Sequence, residues 1–190
     1  IRAQSRSFDA LVGYNLSAGH LQSANGPERV MTVAADRDFF SLLGVVTAIG
    51  RGFRPDDPTT VAVVSDEFWK RALGGTASAI GARLAFNNTP LTVIGIMPEA
   101  FQFPYGAASV LHSVTPQART DLWIPLDPPT DPSLGGRVGY ATGRLKPGVT
   151  IQEAEAELAV ITTRLQDADP DPYGARGIRL EPLSEVVVAR

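Results

Sequence analysis

A serine placed where a strand turns into a helix is the position from which many hydrolases act, and the stretch TTVAVVSDEFWKRALGG, residues 59–75, puts Ser65 there. Its neighbours argue for a different task. A nucleophile elbow keeps glycine on both sides so that the strained turn can expose the hydroxyl, whereas Ser65 lies between Val64 and Asp66. As a helix N-cap it fits well, because its oxygen can accept from an early helical N–H. Asp66 and Glu67 then fall in the first turn and Lys70 and Arg71 in the last, matching the helix dipole. Asp66–Lys70 and Glu67–Arg71 are also i,i+4 pairs with the acid on the N-terminal side. Gly74 and Gly75 supply a left-handed stop. Ser65 is therefore expected to cap a short helix whose apolar side is Phe68, Trp69 and Leu73.

The other residue types capable of chemistry are poorly placed for it. The two histidines, His20 and His112, are far apart, and no metal-binding spacing accompanies them. No G-x-x-x-x-G-K-[ST] run is present, so the chain carries no phosphate-cradling P-loop. GRGFRPDD, residues 50–57, is basic and glycine-containing but joins no strand to a helix, and reads as a loop needing a flexible backbone. Glu153, Glu155 and Glu157 recur on one helical segment, where a solvated face would leave them ordinary acidities. FQFPY, residues 101–105, reads as an aromatic pin holding a long loop to its own core, the other reading being a patch for a partner. No catalytic, cofactor-binding or metal-binding residue is assigned, and no enzymatic activity, cofactor or metal requirement is expected.

The elements that would position these residues follow from pattern. Arg2 to Tyr14 reads as the tail of a helix entering a strand. YNLSAGHL and ERVMTVAA read as two strands around the Asn25-Gly26 turn signal. DRDFFSLLG reads as a short helix capped by Asp36 or Asp38 and stopped at Gly44. ARLAFNNTPLTVIGIMP is a second hairpin, with Asn87-Asn88 able to take the positive φ of a tight turn. DLWIPL is a short strand that Pro125 confines to an edge or an end. VGYATGRLKPGVT is a strand and turn. Thr150 and Glu153 then form a capping box for a helix over 151–166, whose stripe is Ile151, Ala154, Leu158, Ile161 and Leu165. IRLEPL reads as the closing strand. Strict βα alternation is missing, so the expected class is α+β.

Composition bounds the function. With 44% hydrophobic residues the chain can bury a normal core. A net charge of −3 argues against a nucleic-acid surface, which would carry a basic bias. The absence of cysteine excludes disulfides and thiolate metal sites. No apolar run reaches membrane-spanning length, no signal-peptide pattern is present and the first residue is Ile1, so the chain reads as a piece excised from a longer protein.

The joint order of DRDFFSLLGV, GRGF, VAVVSDEFWKRALGG, IGARLAFNNTPLTVIGIMPEAFQFP, DLWIPL and GRLKPGVTIQEAEAEL resembles the periplasmic core domain of MacB-like ABC transporter permeases, of the FtsX-like superfamily. The resemblance runs from about Phe8 to Leu183. It implies two lobes: a porter-like α/β sandwich lobe from both chain ends, 1–35 and 137–190, its N-terminal part incomplete, and an inserted mixed β-rich middle lobe, 36–136. It implies a location on the periplasmic side of the cytoplasmic membrane. It implies a non-catalytic role relaying ATP-driven conformational change to periplasmic substrate or partner proteins. The implied partners are transmembrane helices of the same permease, an ABC ATPase subunit, and in some systems a second permease copy and a periplasmic adaptor. The positions matching the family pattern are structural: Phe39, Phe40, Gly44, Gly50, Ser65, Trp69, Gly81, Gly95, Pro98, Trp123, Pro125, Gly143, Leu145, Pro147 and Gly148. Two other functions compete with this one, an independent extracytoplasmic ligand-binding or sensor domain and a hydrolase with Ser65 as nucleophile.

Overall fold

Alternating residues on either side of the Asn25-Gly26 signal build an antiparallel pair. A computed structural model of the chain describes residues 4–23, 26–103, 119–126, 139–168 and 178–183. In it β1 (Phe8–Ser23) and β2 (Gly26–Ala35) pair from Tyr14↔Ala35 to Ser23↔Gly26. Val30 and Thr32 point to one side of β2 and Val33 and Ala35 to the other, and all four are buried. The sheet is therefore covered on both faces there.

The remaining strands are β3 (Ile49–Gly50), β4 (Val61–Val64), β5 (Arg83–Phe86), β6 (Thr89–Ile96), β7 (Leu122–Pro125) and β8 (Tyr140–Leu145). Helices α1 (Phe39–Leu43), α2 (Asp66–Ala72) and α3 (Ile151–Ala168) and a 3₁₀ turn at Ala77–Ala79 complete the described elements. The class is mixed α and β, rich in sheet. From β2 the hydrogen-bonded path runs through β7, β4, β6 and β5 to β1, and β1 also pairs β2, so six strands close a ring. The link from β5 back to β1 is short, Leu21↔Phe86 and Gln22↔Ala85. Closure pairs strand edges that an open sheet would leave exposed. Two of the ring pairings are parallel, β2–β7 and β4–β6, which hairpins alone cannot make. Pro125 ends β7, the position that its missing N–H permits.

One core cluster lies on the face shared by Leu21, Val30, Val64, Leu84, Leu91 and Val93, with Phe68 of α2 joining it. A second gathers Tyr14, Phe39, Phe40, Phe103 and Trp123 on the other face. Its rings meet mostly edge-on or tilted, as the aromatic quadrupole favours, with Tyr14 and Tyr140 stacked at 5.5 Å. Phe103 is buried and Phe101 packs on Trp123, so the described start of FQFPY is an aromatic pin.

Two glycines make the β3–β6 pairing possible. A Cβ on Gly95 would stand 2.3 Å from the Arg51 carbonyl oxygen, and one on Gly50 the same distance from that of Ile94. Gly50 also sits at φ 75, a conformation that other residues rarely adopt.

The chain divides into two compact units, 1–11 with 142–190, and 12–141. The lobe limits that the resemblance implies lie at 35/36 and 136/137, and β2 and the second half of β1 belong to the ring. Within the first unit Gly143 packs against Phe8, Leu11 and the Ala10 carbonyl.

Other local expectations need correction. Residues 4–7 form turns and bends, so the described part of the entry segment holds no helix. Residues 178–182 form no strand. Asp38 occupies the N-cap of α1 without a side-chain cap bond, while a carboxylate oxygen of Asp36 accepts from the Gly13 N–H at 2.7 Å. GRGFRPDD is a loop as expected, except that its first residue, Gly50, closes the two-residue strand β3.

Candidate functional site

Ser65 has extended backbone angles, and its Oγ accepts from the Phe68 N–H at 3.1 Å. It is the N-cap of α2, its oxygen accepting the capping bond. Lys70 reaches Asp66 at 2.8 Å, and Gly74 and Gly75 take φ 72 and 66 after the helix, as expected. An open cleft of about 650 Å³ lies beside α2, lined in part by Ser65, Lys70, Glu99, Phe101 and Arg119. Among the described residues no histidine lines it. Its charges meet one another: Lys70 also approaches Glu99 at 3.8 Å, and Arg119 holds Glu67 at 2.6 Å.

Arg71 is the busiest of these groups. It donates to Glu28 at 2.8 Å and to Asp121 at 3.1 Å, and its guanidinium lies over the Phe68 ring. Asp121 in turn accepts from the Met31 N–H at 2.9 Å. Burial pushes the Asp121 carboxyl above the usual range, against the opposing pull of the Met31 N–H and Arg71. The group ties α2 to β2 and to the residue that precedes β7, and Arg71 also lines the cleft.

The 50–57 loop is held rather than free. Arg51 grips Asp57 in a two-pronged pair, 2.6 and 2.8 Å, and the Arg54 N–H adds 2.8 Å. Arg51 and the Arg54 N–H hold the Asp57 carboxyl below its ordinary value. Arg37 donates twice to the Asp57 carbonyl and once to that of Leu126. Of the two arginines in the stretch, Arg51 spends its guanidinium on Asp57 and the Gly52 carbonyl, and Arg54 engages Asp57 through its backbone N–H.

The three glutamates of α3 are not equivalent. Glu153 closes the capping box with Thr150, each side chain bonded to the other's N–H. Glu155 accepts from the Leu180 N–H at 2.8 Å. Glu157 accepts from Ser5 Oγ at 2.7 Å, Arg6 N–H at 2.7 Å and Ser7 N–H at 3.0 Å. Ordinary acidities are therefore wrong for two of them. The Thr150 donors lower Glu153, and the Ser7, Ser5 and Arg6 donors bring Glu157 down to about 2. The apolar stripe buries Ala154, Leu158 and Ile161, but Leu165 is 40% exposed. The acid cluster is a set of backbone anchors and not an acid–base pair.

His20 is exposed and engages Asn87 through its backbone N–H, while His112 lies outside the described residues. Among the described residues no group of three or more His, Asp or Glu could hold a metal. Nor is any described helix long and apolar enough to cross a membrane. The anchors of Asp57 and Glu157 escape sequence reasoning. Glu157 meets residues 150 or more positions away, and no local spacing marks such a partner.

A family model described as the MacB-like periplasmic core domain matches residues 1–161. Comparison with curated proteins gave no match. Among solved structures the chain is similar to the periplasmic region of MacB from Actinobacillus actinomycetemcomitans, with 19% identity and a TM-score of 0.61, over 88% of this chain and 70% of that one. It is similar to the extracellular domain of the noncanonic ABC-type transporter YknZ from Gram-positive bacteria, with 12% identity and a TM-score of 0.60, over 89% and 80%. It is also similar to a permease domain from Porphyromonas gingivalis, with 17% identity and a TM-score of 0.61, over 100% and 83%. At these identities the likeness is one of fold.

Proposed function

The chain belongs to the MacB-like periplasmic core domain family, the extracytoplasmic part of ABC transporter permeases, and we propose that it relays ATP-driven conformational change to periplasmic substrate or partner proteins without catalysing a reaction. The family match over residues 1–161 carries this reading. The role of Ser65 as a helix cap, without glycine neighbours, supports its non-catalytic part. On this reading the unit formed by both chain ends is the porter-like lobe, and 12–141 is the inserted β-rich lobe. Motion enters from transmembrane helices of the same permease, driven by an ABC ATPase subunit. A second permease copy and a periplasmic adaptor are the further partners.

The test joins the two units by a disulfide between engineered cysteines in the complete permease, reconstituted with its ATPase. The locked protein is expected to hydrolyse ATP without transport, and reduction should restore coupling. Transport at the unlocked rate would show that motion between the units is no part of the cycle.

A further inference from the structure

Within the unit of residues 1–11 and 142–190, one carboxylate holds a whole turn of backbone from the far end of the chain. Glu157 Oε2 accepts from Ser5 Oγ and the Ser7 N–H, and Oε1 accepts from the Arg6 N–H. The Ser7 carbonyl then accepts from the Lys146 N–H at 2.9 Å, in the turn that leads into α3. Residues 5–7 precede β1, so no strand pairing fixes them. A second carboxylate of the same helix, on Glu155, takes the Leu180 N–H. Helix α3 thus carries a handle for the segment entering the unit and another for the segment 178–183. A carboxylate receiving backbone N–H groups makes charge-assisted bonds, which are shorter and stronger than neutral ones.

We propose that Glu157 is the positioning residue that makes residues 5–7 and α3 move as one piece, so that a displacement of the entering segment is delivered directly to the helix. The inference rests on the relay reading for its purpose, but the clasp can be tested without it. A purely local cap would need only one donor on its carboxylate. Three donors from consecutive residues fix position and orientation together, as a rigid coupling requires.

Two measurements separate the clasp from the relay. The first is amide hydrogen exchange on the intact chain. In Glu157→Gln the Arg6 and Ser7 amides are expected to exchange roughly tenfold faster or more, since the charge-assisted acceptor is lost. Glu153→Gln, which removes a charge one turn earlier but can keep the capping box, should leave them unchanged. Equal exchange in Glu157→Gln and the parent chain would overturn the clasp. The second measures the distance between spin labels at the exposed positions Gln4 and Arg164 in the complete permease, with and without trapped nucleotide. A single, unchanged distance in the parent and a broadened one in Glu157→Gln is expected. A distance that already changes with nucleotide in the parent, or that stays narrow in the variant, would overturn rigid coupling. Neither of those two outcomes touches the relay reading, which the disulfide experiment tests.

Discussion

Thr32 offers a sharp test of how the ring is packed. Its side chain is 1% exposed, and its Oγ1 finds no hydrogen-bond partner among the described residues. It sits in the middle of β2, between Ser17 of β1 and Leu122 of β7, on the same face as the core residue Val30. An unsatisfied buried hydroxyl costs about 1–3 kcal/mol. Thr32→Val removes that hydroxyl, adds a methyl group of nearly the same size and keeps the β-branch that a strand favours. Crowding by the slightly larger methyl offsets part of the gain, so the net expectation is a stabilisation of about 1–2 kcal/mol. For a chain of this length that corresponds to roughly 2–8 °C in melting temperature. Urea denaturation followed by tryptophan fluorescence would show a higher midpoint with an unchanged slope. Thr32→Ser, which keeps the hydroxyl and loses a methyl group, should lose about 1 kcal/mol. If Thr32→Val is instead destabilised by 1 kcal/mol or so, the hydroxyl has a partner and the placement of Thr32 is wrong.

Three further outcomes follow from the packing and the charges. Leu158→Ala should cost about 2–5 kcal/mol by chemical denaturation, and a change within about 0.5 kcal/mol would show that the α3 stripe is not buried. Gly95→Ala should cost about 3 kcal/mol, because its methyl group meets the rigid Arg51 carbonyl and not a movable side chain; a neutral result would refute the close β3–β6 approach. Glu157 has a folded value of about 2 against an ordinary 4.5. Its contribution is therefore complete above the ordinary value and is lost as pH falls from there through about 2. The stability gap between the parent chain and Glu157→Gln should shrink across that window, and a gap independent of pH would contradict the clasp.

Local chemistry was legible and distant chemistry was not. Ser65 with Asp66, Glu67, Lys70, Gly74 and Gly75 reads as a capped helix because each of those effects acts within a turn. The same holds for Thr150 with Glu153, and for Asn87 and Asn88, which take the positive φ expected of them. The ring was not legible. Its parallel pairs join β2 to β7 and β4 to β6, strands far apart in sequence, and alternation within one strand says nothing about its neighbour. Leu165 extends the α3 stripe by spacing, yet it is partly exposed, because periodicity cannot tell how far a covering surface reaches. Glu157 looked like a solvated acid, since helical spacing places it beside solvent and cannot show Ser5, Arg6 and Ser7 arriving from elsewhere. The family likeness, by contrast, was legible in the joint order of motifs.

The relay itself is tested most directly by distance measurement across the transport cycle. Spin labels at Val46, the most exposed large apolar side chain among the described residues of the 12–141 unit, and at Arg164 of α3 report the separation of the two units in the complete permease. With its ATPase present, the distance distribution between nucleotide-free and vanadate-trapped states is expected to shift, and to return on release of the nucleotide. An identical distribution in both states, in a preparation that transports at the normal rate, would contradict the relay.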